Sequence, residues 1–176
     1  KMPVDSLEVI DVDYDGRGGQ MVALVYERRP ARRTEDARLV LLGAHGVGLP
    51  RSWDLPEDAT AHWPTNPYVD LDIGPDGVVY VLDDYSDRVL ALAADGSLLA
   101  TIPVEADVRR IAADGQGRVF GLREPGYVER YERDGSVTAR FDGRPNPSGD
   151  PLALTAIEVD SAGRVFVADG RSSVIG

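Results

Sequence analysis

The chain has 176 residues, 43% of them apolar, enough for one domain with a substantial core. It has no cysteine, which excludes disulfides and thiolate metal sites, and no apolar run approaches the ~20 residues of a membrane span. A net charge of −11 argues against a nucleic-acid partner, because an acidic surface repels phosphate.

Taken in chain order, the first expected strand is Ser6 to Asp13. The stretch Asp11-Val12-Asp13-Tyr14-Asp15-Gly16 spells D-x-D-x-D-G, the opening of a calcium loop, with carboxylates at alternate positions able to wrap a hard cation. Asp11, Asp13 and Asp15 are therefore candidate metal ligands, with Ca2+ as the cofactor in question. The twelfth position of an EF-hand would be Val22 rather than Glu, and the flanks read as strands, so a helical EF-hand is excluded. The competing reading is a solvated turn between two strands.

Met21 to Glu27 and Ala37 to Gly43 are the next expected strands, separated by the basic run from Arg28 to Arg33. That run reads as a solvated hairpin tip in preference to a phosphate or acidic-partner contact. Residues 43–67 are the least patterned part of the chain and carry both histidines and both tryptophans. A long loop on a rigid scaffold is where binding residues concentrate, so His45, Trp53, His62 and Trp63 are candidate binding residues. A tryptophan-anchored cover over the first unit suits the same residues. Ser52 to Leu55 is an expected outer strand.

From Tyr68 to Pro103 four short strands follow one another with three turns. Gly74-Pro75-Asp76-Gly77 is a tight turn, Val78 to Leu82 is apolar on both faces, and Asp95-Gly96 marks a hairpin. No crossover helix fits between them, so the unit is an antiparallel meander. Its parts recur. Gly117-Arg118-Val119-Phe120 and Gly163-Arg164-Val165-Phe166 repeat Gly77-Val78-Val79-Tyr80, and Asp134-Gly135-Ser136-Val137 repeats Asp95-Gly96-Ser97-Leu98. Four-stranded units at ~40–45 residues mark a β-propeller.

The pattern Asp76-Gly77, Val79-Tyr80-Val81-Leu82-Asp83, Arg88-Val89, Asp95-Gly96 resembles the NHL-repeat propellers, over about residues 68–175 and loosely before that. The third unit departs from it, with Arg123-Glu124-Pro125-Gly126 where the Asp83 turn would stand. The expected fold is all-β: a propeller segment of about three and a half four-stranded antiparallel blades. Residues 1–176 form a single propeller domain or part of one, with approximate units 5–55, 66–104, 105–143 and 152–176. A closed ring needs about four to eight blades. Ring closure would then draw on the rest of a longer chain or on other subunits; a compact β-sandwich-like fold is the alternative.

The resemblance implies a non-catalytic binding or scaffold propeller that presents loops to a protein, peptide or glycan partner, with an extracellular or cell-surface setting. It names no catalytic residue. One alternative is a metal-dependent propeller lactonase or lyase, for which Asp83, Asp169, His45 and His62 would be the groups to consider. Asp83 and Asp169 read more simply as turn caps. The other alternative is a calcium-stabilised structural repeat. There is no G-x-S-x-G elbow, no H-E-x-x-H and no cysteine nucleophile.

Overall fold

The computed structural model describes residues 6–15, 20–29, 34–42, 51–55, 70–124, 126–142 and 153–170. Every regular element among them is a strand, and no helix there is long and apolar enough to cross a membrane. The strands are β1 (Ser6–Asp15), β2 (Gln20–Arg29), β3 (Thr34–Leu42), β4 (Arg51–Asp54), β5 (Leu71–Ile73), β6 (Val79–Asp83) and β7 (Arg88–Leu92). They continue as β8 (Leu98–Pro103), β9 (Val108–Ala113), β10 (Val119–Arg123), β11 (Tyr127–Tyr131), β12 (Val137–Asp142), β13 (Leu154–Val159) and β14 (Val165–Asp169).

They form three antiparallel four-stranded meanders, β1–β4, β5–β8 and β9–β12, and a two-stranded sheet, β13–β14. This is the expected all-β propeller segment built of antiparallel four-stranded sheets. The sheets stack face to face, and the first strands of successive sheets lie side by side. A two-sheet sandwich is not what forms.

The stacking follows from strand composition. β6 is apolar at every position but the last, so both faces need cover. Val79 and Val81 turn to the first blade and join Val22, Leu24, Leu55 and Leu71 in one core cluster. Tyr80 and Leu82 turn to the third blade and join Val108, Ile111, Val119 and Tyr131 in a second. β10 repeats the arrangement: Val119 looks back, while Phe120 and Leu122 look forward to Ile157 and Val159 in a third. Blades 2 and 3 are thus slabs between two apolar layers. Pro103 closes β8, an edge strand, where its missing N–H breaks no ladder.

Turn chemistry repeats with the blades. Asp114 Oδ1 accepts from the amides of Gln116 and Arg118, and Asp160 Oδ1 from those of Ala162 and Arg164. Asp95 and Asp134 take the amide and hydroxyl of Ser97 and Ser136 in the same way. Gly96 and Gly135 sit at φ +84° and +82° in those hairpins, backbone that favours glycine. Both also lack room for a Cβ, being covered by Trp53 and Pro103 of the preceding blade.

Two expectations shift. β1 runs on to Asp15, so Asp11 to Asp15 is strand and not a turn. Arg28 and Arg29 belong to β2, while the rest of the basic run lies outside the described residues.

Candidate functional site

The chemistry-bearing residues that the fold brings together lie on the first strands of the blades. β1 carries Asp11 and Asp13, and β5 is led by Asp70 and carries Asp72. Period-2 alternation puts each pair on one face, turned toward the next blade. Asp11 Oδ2 accepts from the Leu71 amide at 2.9 Å, and Asp13 Oδ2 from the Ile73 amide at 2.7 Å. One blade further on, Asp70 Oδ2 accepts from the Ile111 amide at 2.7 Å and Asp72 Oδ2 from the Ala113 amide at 2.6 Å. The same D-x-D pair therefore fastens blade 1 to blade 2 and blade 2 to blade 3.

The pairs also meet each other. The carboxyl of Asp70 lies near that of Asp11, and the carboxyl of Asp72 near that of Asp13, so each faces a like charge. Burial is the main reason the Asp70 carboxyl is pushed up to about 7; Arg110, with Nε 3.7 Å from its Oδ1, and the Ile111 amide pull the other way. Asp72 is pushed up to about 8, first by burial and then by the charge of Asp13. Glu158 on β13, exposed but within electrostatic reach of Asp13 and Asp72, is raised by partial desolvation and by the charge of Asp13.

Perturbed carboxyls of this kind occur at catalytic centres and equally in structural networks. Here each of the four aspartates holds a neighbouring backbone amide. A cavity of about 170 Å3 between blades 2 and 3 and one of about 490 Å3 between blade 3 and the β13–β14 sheet are lined by other residues. Among the described residues, no three histidine, aspartate or glutamate side chains converge with the spacing that would hold a metal ion.

Asp11 and Asp13 thus stand together in an interblade ladder. Asp15 ends β1, and its side chain lies outside the described residues. Trp53 on β4 is half-buried, packs on the first core cluster and lies over Gly96 of the next blade, which is an anchoring position. His45, His62 and Trp63 lie outside the described residues. Asp83 is buried, accepts from Arg88 Nε at 2.8 Å and caps the Ser86 amide at 3.3 Å. Asp169 accepts from the Ala153 amide at 3.0 Å, 16 residues back.

A second network, in blade 3, is one that sequence reasoning missed. Glu129 is buried on β11, where Tyr131 Oη donates to it at 2.8 Å and Arg123 Nη1 at 3.1 Å. Burial and the bond to Glu129 push the Tyr131 hydroxyl up. Arg123 occupies the place of Asp83, but the residue opposite it is Tyr127, and its acidic partner Glu129 lies two residues further along β11, so a diagonal ion pair in blade 3 stands where blade 2 has the directly opposed Asp83–Arg88 pair. This accounts for the departure of the third unit from the repeat pattern.

Comparison with known proteins bears on the fold. No family model matches the chain, and no curated protein does. Among solved structures, regucalcin from Agrobacterium tumefaciens, described as a calcium-binding protein, matches at TM-score 0.53 and 17% identity, over 93% of this chain and 54% of its own. Virginiamycin B lyase from Staphylococcus aureus matches at TM-score 0.51 and 10% identity, over 93% of this chain and 67% of its own. Both are six-bladed propellers, so the fold is that of propeller blades. The chain spans about half the length of the regucalcin structure.

Proposed function

We propose that the chain is a non-catalytic propeller module that binds a protein, peptide or glycan partner. The observation that carries this reading is the use made of the inner-strand carboxylates. Asp11, Asp13, Asp70 and Asp72 each accept an amide of the next blade, which is architecture rather than substrate chemistry. In this reading, contact with the partner falls to the segment 43–67 through His45, His62 and Trp63, while Trp53 anchors that segment to the second blade. An NHL-type propeller at the cell surface fits this role.

The test is a peptide and glycan array with the purified chain, run beside turnover assays on lactone and cyclic depsipeptide substrates with divalent metals. The reading expects saturable binding that is lost in a His62→Ala, Trp63→Ala double variant, and no turnover. Metal-dependent turnover abolished by Asp13→Asn would overturn it in favour of a propeller lactonase or lyase.

A calcium-stabilised module is the second reading. It rests on the alternation of Asp11, Asp13 and Asp15 in the sequence and on the description of the regucalcin neighbour as calcium-binding. A melting temperature unmoved between calcium and chelator would sink it.

A further inference from the structure

Blades 2 and 3 enclose a cavity of about 170 Å3. Val78, Tyr80, Ala91 and Ile102 of blade 2 wall it, Leu99 of β8 lies at its edge, and Gly117 and Arg133 of blade 3 complete it. The cavity thus lies between two complete four-stranded meanders, and its lining residues belong to them.

Three of these residues depart from the repeat. Arg133 stands where blade 2 has Ala94, Leu99 where blade 3 has Thr138, and Tyr80 where blade 3 has Phe120. Arg133 is the one charged residue that lines the cavity. Its guanidinium rests on Gly117, where an added Cβ would come within 2.6 Å of Nε and Nη2. Gly77, the match of Gly117 in blade 2, has no such cover. Arg88, Arg118, Arg123, Arg130 and Arg164 each lie against a carboxylate. Among the described residues, Arg133 has neither a hydrogen bond nor an ion pair. Asp76 and Asp114 act on Tyr80 from outside the cavity, and both are engaged elsewhere, Asp76 by the Val78 amide and Asp114 by Arg118.

In a chain of net charge −11, a guanidinium without a carboxylate at the edge of an apolar cavity is complementary to an anion with an apolar body. A planar guanidinium grips a carboxylate through two parallel N–H···O bonds, and apolar walls strengthen the pair by lowering the local dielectric. Drug-sized ligands fill pockets of roughly 300–1,000 Å3, so a cavity of about 170 Å3 admits only a few heavy atoms.

We propose that the cavity between blades 2 and 3 binds a short-chain aliphatic carboxylate. The carboxylate pairs with Arg133, and the hydrocarbon tail passes Leu99 to lie between Tyr80, Ala91 and Ile102. The site is separate from the segment 43–67, so this inference stands or falls independently of the loop-binding reading.

The test titrates isovalerate into the purified, isotope-labelled chain at constant ionic strength and follows amide shifts by NMR. Saturable shifts are expected at Ala91, Leu99 and Gly117, with a dissociation constant in the millimolar range. Arg133→Gln should weaken binding at least tenfold, and Leu99→Thr, which installs the residue of blade 3, should weaken it less. Arg133 is exposed, so its substitution should keep the fold, which the spectrum of the variant verifies. Isovaleramide, neutral and of the same shape, repeats the test on the unaltered chain and should bind at least tenfold more weakly than isovalerate. No saturable shift at tens of millimolar, shifts confined to other residues, or unchanged binding by Arg133→Gln overturns the proposal. So does acetate binding as tightly as isovalerate, which leaves only a surface ion contact. A leucine-terminated tetrapeptide that binds more tightly than isovalerate overturns it in favour of a protein C-terminus.

Discussion

β6 and β14 have nearly the same sequence and opposite surroundings. Val79-Tyr80-Val81-Leu82-Asp83 lies between two blades, and Tyr80 is 1% exposed. Val165-Phe166-Val167-Ala168-Asp169 has blade 3 on one side, and Phe166 is 51% exposed. The strand pattern therefore specifies a slab that needs two neighbours, and burial is conferred by the stacking. Stability should follow, high where a strand is sandwiched and low where a face is open.

The largest contrast is expected from truncation. Leu82→Ala empties a fully buried site and should cost about 2–5 kcal/mol. Val167→Ala, on the open strand, should cost about 0.5 kcal/mol. Paired urea titrations read both; equal losses would break the comparison.

The interblade ladder should come next. Asp72→Ala leaves the buried Ala113 amide without its acceptor, a loss of about 1–3 kcal/mol by urea titration. Its ionisation also gives stability a pH slope. The folded-state values of Asp70 and Asp72, about 7 and about 8, stand above the ordinary carboxylate range. The folded chain then holds protons that the unfolded chain has released. Stability is greatest below about pH 4 from this source and is lost as the pH rises toward about 8. Melting temperature followed from pH 5 to 8.5 should fall, and Asp72→Asn should flatten the fall.

Smaller effects should distinguish the two kinds of turn. Gly163 has φ +76° and open space around it, so Gly163→Ala should cost only the backbone term, about 1 kcal/mol. Gly96→Ala adds a collision with Trp53 to the same term and should cost more. Thermal melts of the two variants rank them.

Much of the architecture can be read from local signals. Asp-Gly hairpins and the alternation around Val79 to Asp83 mark strand ends to within a residue or two in the second and third blades, because turns are determined by neighbouring residues. The ladder is harder to read, because Asp11 and Leu71 are 60 residues apart and Asp70 and Ile111 are 41 apart. A signal for it was present, since Asp70-Leu71-Asp72 repeats Asp11-Val12-Asp13 at the same place in the unit. Read singly, the first copy resembles a calcium loop; read as a pair, it marks an interblade contact. Glu129 left only an indirect trace, the arginine at position 123 where the repeat has aspartate.

Amide hydrogen exchange on β6 and β14 in the same sample tests the central claim most directly. The account predicts slow exchange across Val79–Asp83 and faster exchange across Val165–Asp169, where Phe166 is 51% exposed. Equal protection of the two strands in the monomeric chain would contradict it.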